Sequence, residues 1–441
     1  MSIHAKSGCL IAGALFLSMA VSAQKVKFTE YDLDNGLHVI LHQDKSAPVV
    51  AVSVMYHVGS KNETTGLTGF AHFFEHLLFE GSKNIKRGDF MKIVSAGGGS
   101  NNANTTQDRT FYYEEFPSNQ FKLGLWLESE RMMHPVINEI GVNTQREVVK
   151  EEKRMNVDNR PYGHLLEEVF KRLFVKHPYR WVPIGSMEDI NRAKLTQFQD
   201  FFKKFYVPGN AVLSIAGDIN LDSAKTWIGD YFAAIPGGPK VTQPAIQEAP
   251  ITKEIVDTAY DANIQLPGII TAYRTPAENT HDAVVLDMIS SILSGGASSR
   301  LYKELVDEKK TALEVVSFNY ALEDYGAYLT FALPNGNTSL DSLLTDINAN
   351  IEDLQNNLIS EKDYQKLLNQ AEMRFVQANN KDLGIAENLA NGYTFFNKNT
   401  NHINEELQEI RSVTREEIRD VARKFLNPNQ RVVLYYLPKG K

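Results

Sequence analysis

Residues 69–81 of this chain have the sequence GFAHFFEHLLFEG, in which His72 and His76 lie four positions apart. Positions 70–80 are mostly apolar and contain neither proline nor glycine, so this segment is predicted to form a helix. Residues four apart lie on one face of a helix, so both imidazoles can reach one metal ion. Glu75 borders the same face, where a carboxylate can take a proton from a metal-bound water without being a ligand.

The histidine pair alone is weak evidence, because this spacing arises by chance and an apolar helix is buried whatever its role. Two further features favour a metal site. The order His-x-x-Glu-His is the inverse of the usual zinc-protease order and is itself a catalytic motif. Burying two histidines and a glutamate among phenylalanines and leucines would also be costly without bonding partners. The sequence therefore predicts a zinc centre on this helix.

The composition is that of a globular protein and excludes some classes of function. The chain has 441 residues, enough for two or three domains, and 43% of them are hydrophobic. A formal net charge of −8 argues against a nucleic-acid partner. The glycines at 97–99 are not followed by the Lys-Ser/Thr pair of a phosphate-binding loop.

Residues 1–23 are predicted to be a secretory signal peptide. Lys6 supplies a positive charge, positions 9–20 contain an apolar run, and the small residues at 21–23 are typical of a cleavage site. The run is too short for a membrane span, and lipidation at Cys9 is disfavoured because little chain precedes it. We therefore expect a periplasmic or secreted protein, with no stable membrane span and no disulfide.

The sequence contains signs of an internal duplication. Pro48 and Pro267 precede similar strand-like runs 219 positions apart, and Phe205 and Phe425 begin similar segments 220 positions apart. Two matches at nearly the same offset predict two related domains. Residues 286–296, the counterpart of the histidine helix, contain neither His nor Glu, so the metal chemistry is expected in the first domain.

Residues 236–250 are rich in proline and glycine and are predicted to be an interdomain linker. They separate a zinc-binding domain, residues 24–235, from a second homologous domain that lacks metal ligands, residues 251–441. In the first domain, residues 49–58 and residues 105–116 are each predicted to form a strand.

A catalytic zinc site usually has three protein ligands, and two candidates exist for the third. His57 is one, although its place in a strand favours a packing role. Glu152 is the other, because Val148, Val149 and Met155 predict an apolar stripe on a helix and Glu152 shares that face. A carboxylate on a buried face needs a partner, which could be the metal or an arginine.

At this point the residues resemble a known family. The motif at 72–76, with Glu152 located 76 positions beyond His76, resembles the pitrilysin/insulysin-type zinc metallopeptidases, or inverzincins. The similarity is greatest to the branch that contains the β-subunit of mitochondrial processing peptidase and its bacterial relatives, and it covers the whole mature chain. Other segments that fit the family are DNGL at 34–37, VGS at 58–60, HPY at 177–179, IG at 184–185, FYVP at 205–208 and SGGASSRL at 294–301.

The resemblance implies an α+β fold of two duplicated domains, each an antiparallel sheet with helices packed on one side. Together they would form half of a clam-shell chamber that a second subunit closes. By position, His72, His76 and Glu152 would be the ligands of one zinc ion per chain. Glu75 would be the general base that activates a zinc-bound water, so the family implies a zinc metalloendopeptidase that cleaves peptides or unfolded segments.

The resemblance also implies residues beyond the metal. The edge strand near Asn102, Ala103 and Thr105 would pair with the substrate backbone, although composition alone indicates only a polar turn and the start of a strand. Gln145 replaces a second family glutamate that assists the site without binding the metal. This departure affects the expected rate more than zinc binding.

A second departure concerns the partner. The family commonly has an arginine and a tyrosine that hold the substrate carbonyl, and Val306 and Leu313 occupy these positions. A second family subunit that carries the Arg/Tyr pair would make the assembly a heteromer; a homodimer is the alternative. A non-catalytic assembly subunit and a purely structural zinc site are rival readings, which the complete metal motif and its open fourth position disfavour. The sequence does not identify the substrate.

Overall fold

The computed structural model of the protein describes residues 25–440, so the predicted signal peptide lies outside the described residues. The first half of the chain forms a six-stranded sheet and eight α-helices within this range. Its strands are β1 (Thr29–Asp32), β2 (His38–Gln43), β3 (Val49–Tyr56), β4 (Ser100–Thr105), β5 (Thr110–Pro117) and β6 (Ala211–Gly217). Its helices are α1 (Phe70–Leu77), α2 (Phe90–Ala96), α3 (Phe121–Met133), α4 (Glu139–Lys153), α5 (Leu165–Leu173), α6 (Met187–Arg192), α7 (Leu195–Phe205) and α8 (Leu221–Phe232).

The second half forms a five-stranded sheet and six α-helices, counted over the same described range. Its strands are β7 (Ile255–Asp261), β8 (Gly268–Thr275), β9 (Ala312–Tyr320), β10 (Gly326–Pro334) and β11 (Arg431–Pro438). Its helices are α9 (His281–Ser294), α10 (Leu340–Asn356), α11 (Glu361–Ala378), α12 (Asp382–Phe395), α13 (His402–Ser412) and α14 (Arg415–Phe425).

The strand order is β1-β2-β6-β3-β5-β4 in the first sheet and β7-β11-β8-β10-β9 in the second, so the two orders match except for the additional edge strand β1. The strands that follow Pro48 and Pro267, β3 and β8, occupy equivalent places, as do β6 and β11. Each sheet is antiparallel except for one parallel pair, β2 with β6 and β7 with β11. The predicted α+β fold with two duplicated domains is therefore confirmed.

Each sheet is also covered by a helix from the other half of the chain. Helix α12 packs against β2, β3 and β6 of the first sheet, and α5 packs against β8 and β11 of the second. Strand residues on this face, such as Ile40 and Met55, are as fully buried as those on the face that packs on the sheet's own helices. The residues between α8 and β7 contain no helix or strand, but the exact domain boundaries stay a prediction.

The segment predicted as one strand, residues 105–116, instead contains a turn. Strand β4 ends at Thr105 and β5 begins at Thr110, so the two strands form an antiparallel hairpin. The hydroxyl of Thr106 accepts hydrogen bonds from the backbone N–H groups of Asp108 and Arg109, each 3.2 Å long. A hydroxyl that closes a turn in this way gives a weaker sequence signal than glycine or proline does.

None of the helices between residues 25 and 440 is both long enough and apolar enough to cross a membrane.

Candidate active site

The histidine helix α1 is fixed at its N-terminus by a buried glutamate. Glu63 is 6% exposed. Its carboxylate accepts hydrogen bonds from the N–H groups of Gly69 and Ala71, both 2.9 Å long. Gly69 has a positive φ of 94°, and a Cβ there would lie 3.0 Å from the carbonyl oxygen of Ile184, so only glycine fits without strain. Glu63 could not be identified from the sequence, because it caps the helix from a loop.

The two histidines of α1 face Glu152 on helix α4. The distance from Glu152 Oε2 to His76 Nε2 is 3.0 Å, and the distance to His72 Nε2 is 3.5 Å. The same oxygen is buried and makes no aligned hydrogen bond to any described residue. The two Nε2 atoms and Glu152 Oε2 therefore lie close together, but they form no aligned hydrogen bond with one another.

This arrangement fits a zinc ion. Tetrahedral zinc with bonds of about 2.1 Å to nitrogen and oxygen separates its ligand atoms by about 3.4 Å. The observed separations of 3.0 and 3.5 Å bracket that value. A cation between the three atoms would also give the buried oxygen of Glu152 the partner that it lacks.

The protonation state of Glu152 suits a metal ligand. The imidazole of His72, and to a smaller extent that of His76, holds the pKa of Glu152 well below its usual range. Burial acts in the opposite direction but is outweighed. The carboxylate is therefore ionised at neutral pH. Two histidines and one glutamate are a donor set that catalytic zinc sites use.

The apolar stripe from which Glu152 was predicted to face inward is only partly present. Val149 is fully buried as predicted, but Val148 and Met155 are 43% and 66% exposed. The predicted apolar stripe is therefore narrower than expected, and Met155 lies beyond the end of α4. Glu152 lies beside Val149 at the border of the buried face, with its side chain 31% exposed.

Glu75 lies beside the same cluster but is held by a different contact. Each of His72, Glu75 and His76 has a potential ligand atom within 4.8 Å of those of the other two. The hydroxyl of Thr105 donates a hydrogen bond of 2.6 Å to Glu75 Oε2. Two carboxylates thus approach the histidines, and only that of Glu152 lies in contact with both imidazoles.

The residues predicted to bind substrate lie on β4, which is the edge strand of the first sheet. Asn102 pairs with Tyr113 of β5, and its side-chain oxygen accepts a 2.9 Å hydrogen bond from the N–H of Ala103. Thr105 ends the strand next to Glu75. The structure therefore brings Thr105 to the candidate centre, while Asn102 and Ala103 lie further along the edge.

Gln145 lies on α4, two turns before Glu152. Its side-chain amide donates a hydrogen bond to Glu80, which follows the histidine helix, and not to a candidate metal ligand. If Gln145 supports the metal site as predicted, it does so indirectly, by holding α4 against the segment that follows α1.

The side chain of His57, the alternative third ligand, contacts a residue of the second half. Its Nε2 lies 2.7 Å from Glu323, in the turn between β9 and β10 of the second half. Lys61, whose side chain is fully buried, lies 2.9 Å from Asp108 and also pairs with Glu323 and Asp324. This network cannot be predicted from sequence patterns, because its members are far apart in the chain.

Val306 and Leu313 lie in the second half. Val306 is in the helical turn Tyr302–Glu308 and packs against the core, whereas Leu313, near the start of edge strand β9, is 50% exposed. Neither side chain can donate a hydrogen bond.

Comparison with known proteins identifies the family. Residues 38–180 match the family described as insulinase, peptidase family M16, and residues 192–371 match the peptidase M16 inactive domain. The chain is 33% identical to the zinc protease PqqE of Helicobacter pylori over 353 residues, which cover 79% of this chain and 80% of that protein. The chain belongs to the M16 peptidase family. The predicted resemblance is thereby confirmed, and all three candidate zinc ligands lie within 38–180.

Other M16 relatives agree with this assignment. The uncharacterised zinc protease YmxG of Bacillus subtilis is 24% identical over 336 residues, 76% of this chain and 80% of that protein. The crystal structure of a protease from Helicobacter pylori matches with a TM-score of 0.88 and 30% identity, covering 93% of this chain and 99% of that one. The periplasmic protease PqqL from Escherichia coli shares the fold, with a TM-score of 0.75 and 17% identity, and this M16 chain spans 48% of its length.

Proposed function

We propose that this chain is an exported zinc-dependent endopeptidase that cleaves peptides or unfolded polypeptide segments. The observation that carries the proposal is the approach of Glu152 Oε2 to both His72 and His76, beside a separately held Glu75. Relatives named zinc proteases support zinc as the metal. One zinc per chain is expected, since residues 286–296, the counterpart of the histidine helix, contain neither His nor Glu.

The residues divide the chemistry between them. His72, His76 and Glu152 would hold the ion and leave one position open. When bound, zinc polarises the scissile carbonyl and lowers the pKa of a coordinated water toward neutrality. Glu75 takes a proton from the attacking water and passes it to the leaving amine, because its carboxylate is held by Thr105 at the border of the ligand set.

Strand β4 is the proposed substrate platform. Among residues 25–440, no strand pairs with its outer side, so an extended peptide could pair with this edge near Asn102 and Ala103. Such pairing recognises an extended backbone more than a side-chain sequence. Extended, unfolded segments are therefore the proposed substrates, and a folded domain would have to open before cleavage.

The proposal extends to the location and the assembly of the protein. The sequence of residues 1–23 supports export to the periplasm or the medium, and the structurally similar PqqL of Escherichia coli is described as periplasmic. This chain matches 48% of the length of PqqL, which supports an assembly of two units of this size. We propose that a second M16 chain completes the chamber.

The test of the function is metal analysis together with hydrolysis of an internally quenched peptide. Glu75→Gln is expected to keep zinc and to reduce turnover by about 100-fold or more, because it removes a general base and not a ligand. His72→Ala should lose zinc and turnover together. If Glu75→Gln lost zinc as fully as His72→Ala, the two roles would be assigned wrongly; if zinc-loaded wild type left every unfolded peptide intact, the proposed activity would be refuted.

A further inference from the structure

The hydrogen bond between Thr105 and Glu75 connects two elements that are distant in the sequence. Thr105 is the last residue of β4, and Glu75 lies in the middle of α1. The Thr105 hydroxyl donates a hydrogen bond of 2.6 Å to Glu75 Oε2. The family resemblance alone predicts that Thr105 contacts the substrate.

We infer that Thr105 is the positioning residue for Glu75. This inference rests on the proposed function and deepens it, because it assigns the Thr105 hydroxyl to the base and not to the peptide. A hydroxyl has a single proton to donate, and in this structure that proton is directed to Glu75.

Glutamate has three rotatable side-chain bonds, so a carboxylate beside two imidazoles could turn toward the metal or toward solvent. The Thr105 hydrogen bond selects one orientation and engages Oε2, which leaves Oε1 to meet the attacking water. Threonine suits this task because its branched Cβ restricts the χ1 torsion. A misplacement of about 1 Å in a reacting group can cost about 100-fold in rate.

The position of Thr105 is itself fixed by the hairpin. Thr105 pairs with Thr110, and the neighbouring Asn104 accepts a 2.9 Å hydrogen bond from Arg109. Arg109 also pairs with Glu387 on α12 of the second half. The orientation of Glu75 thus depends on the end of β4, the strand that is proposed to pair with the substrate.

Thr105→Val and Thr105→Ser provide a matched pair, because valine keeps the shape without the hydroxyl and serine keeps the hydroxyl. With an internally quenched peptide, Thr105→Val should reduce kcat by about 10- to 100-fold, with KM changed less than about 3-fold and zinc content unchanged. Thr105→Ser should recover most of the turnover. An increase in KM at constant kcat would instead show a substrate contact, and an equal loss in both variants would show a packing role; either result overturns the inference.

A second readout does not depend on turnover. In cobalt-substituted protein, the visible absorption bands report on the groups around the metal. Thr105→Val should shift these bands in the direction that Glu75→Gln does, whereas Thr105→Ser should retain the wild-type spectrum. A Thr105→Val spectrum identical to that of wild type would overturn the inference even if the protein cleaved no peptide, so its failure is distinguishable from failure of the proposed activity.

Discussion

At the scale of single residues, Glu152 differs from its neighbour Glu151 in what its carboxylate contacts. Glu152 lies 3.0 Å from His76, while Glu151 forms a 2.6 Å surface pair with Arg154. We therefore expect Glu152→Ala to weaken zinc binding by more than the roughly 10- to 100-fold that loss of an outer-shell partner costs. Glu151→Ala should bind zinc as wild type does, since exposed pairs contribute little.

Competition titration with a zinc chelator measures both variants under the same conditions. Circular dichroism of the metal-free proteins serves as the control, because it separates a lost ligand from a misfolded helix. Equal losses of zinc affinity in the two variants would contradict the assignment of Glu152.

Sequence reasoning reached the residues of this centre unevenly. The His-x-x-Glu-His spacing is local, so helical geometry alone brought His72 and His76 together. Glu152 was selected by an apolar stripe of which only Val149 is buried, and the resemblance to a family supplied the rest. The bond from Thr105 to Glu75 could not be predicted, because it depends on how a strand end and a helix pack.

At the scale of elements, the turn between β9 and β10 is joined to the first half by buried charges. Lys61 pairs with Asp108, Glu323 and Asp324, and its side chain is fully buried. Lys61→Met would leave these carboxylates without their cation, so we expect the free energy of unfolding at pH 7 to fall by about 3–5 kcal/mol. Denaturant titration followed by tryptophan fluorescence measures the change; a loss below about 1 kcal/mol would contradict it.

The same network predicts a pH dependence. Burial alone would raise the pKa of Glu323, but the hydrogen bond to His57 and the charges of His57 and Lys61 outweigh it, so its pKa is lowered. A lowered folded-state pKa gives stability that is complete above the unfolded carboxyl pKa, about 4, and is lost as pH falls through the folded value. Wild type should therefore lose stability below about pH 4, and Glu323→Gln should lose less. Glu188→Gln is the control, because the Glu188 side chain is 83% exposed, and its stability should depend on pH as that of wild type does. If Glu323→Gln also lost as much stability below pH 4 as wild type, this account would be contradicted.

At the scale of the whole molecule, the duplication was predictable and the exchange of helices was not. Repeated prolines before strands mark equivalent positions in the chain, and the matching sheet orders confirm them. Helix α5 belongs to the first half but packs on the second sheet, and α12 belongs to the second half but packs on the first sheet. Sequence periodicity predicts that each segment is a helix, but it does not show which sheet the helix covers.

The last prediction concerns that second chain. An oxyanion formed during peptide hydrolysis needs hydrogen-bond donors besides the metal, and loss of one donor typically costs about 10²–10³ in rate. Val306 and Leu313 cannot donate, so a partner that lacks His-x-x-Glu-His but carries the Arg/Tyr pair should supply the donors. We expect the purified chain to cleave a quenched peptide slowly, and addition of such a partner to raise kcat by about 100-fold together with a larger species in size-exclusion chromatography with light scattering. Partner protein with its arginine and tyrosine replaced by Val and Leu should assemble without that gain. A homo-oligomer of this chain with ordinary turnover, unchanged by the partner, would contradict the heteromer.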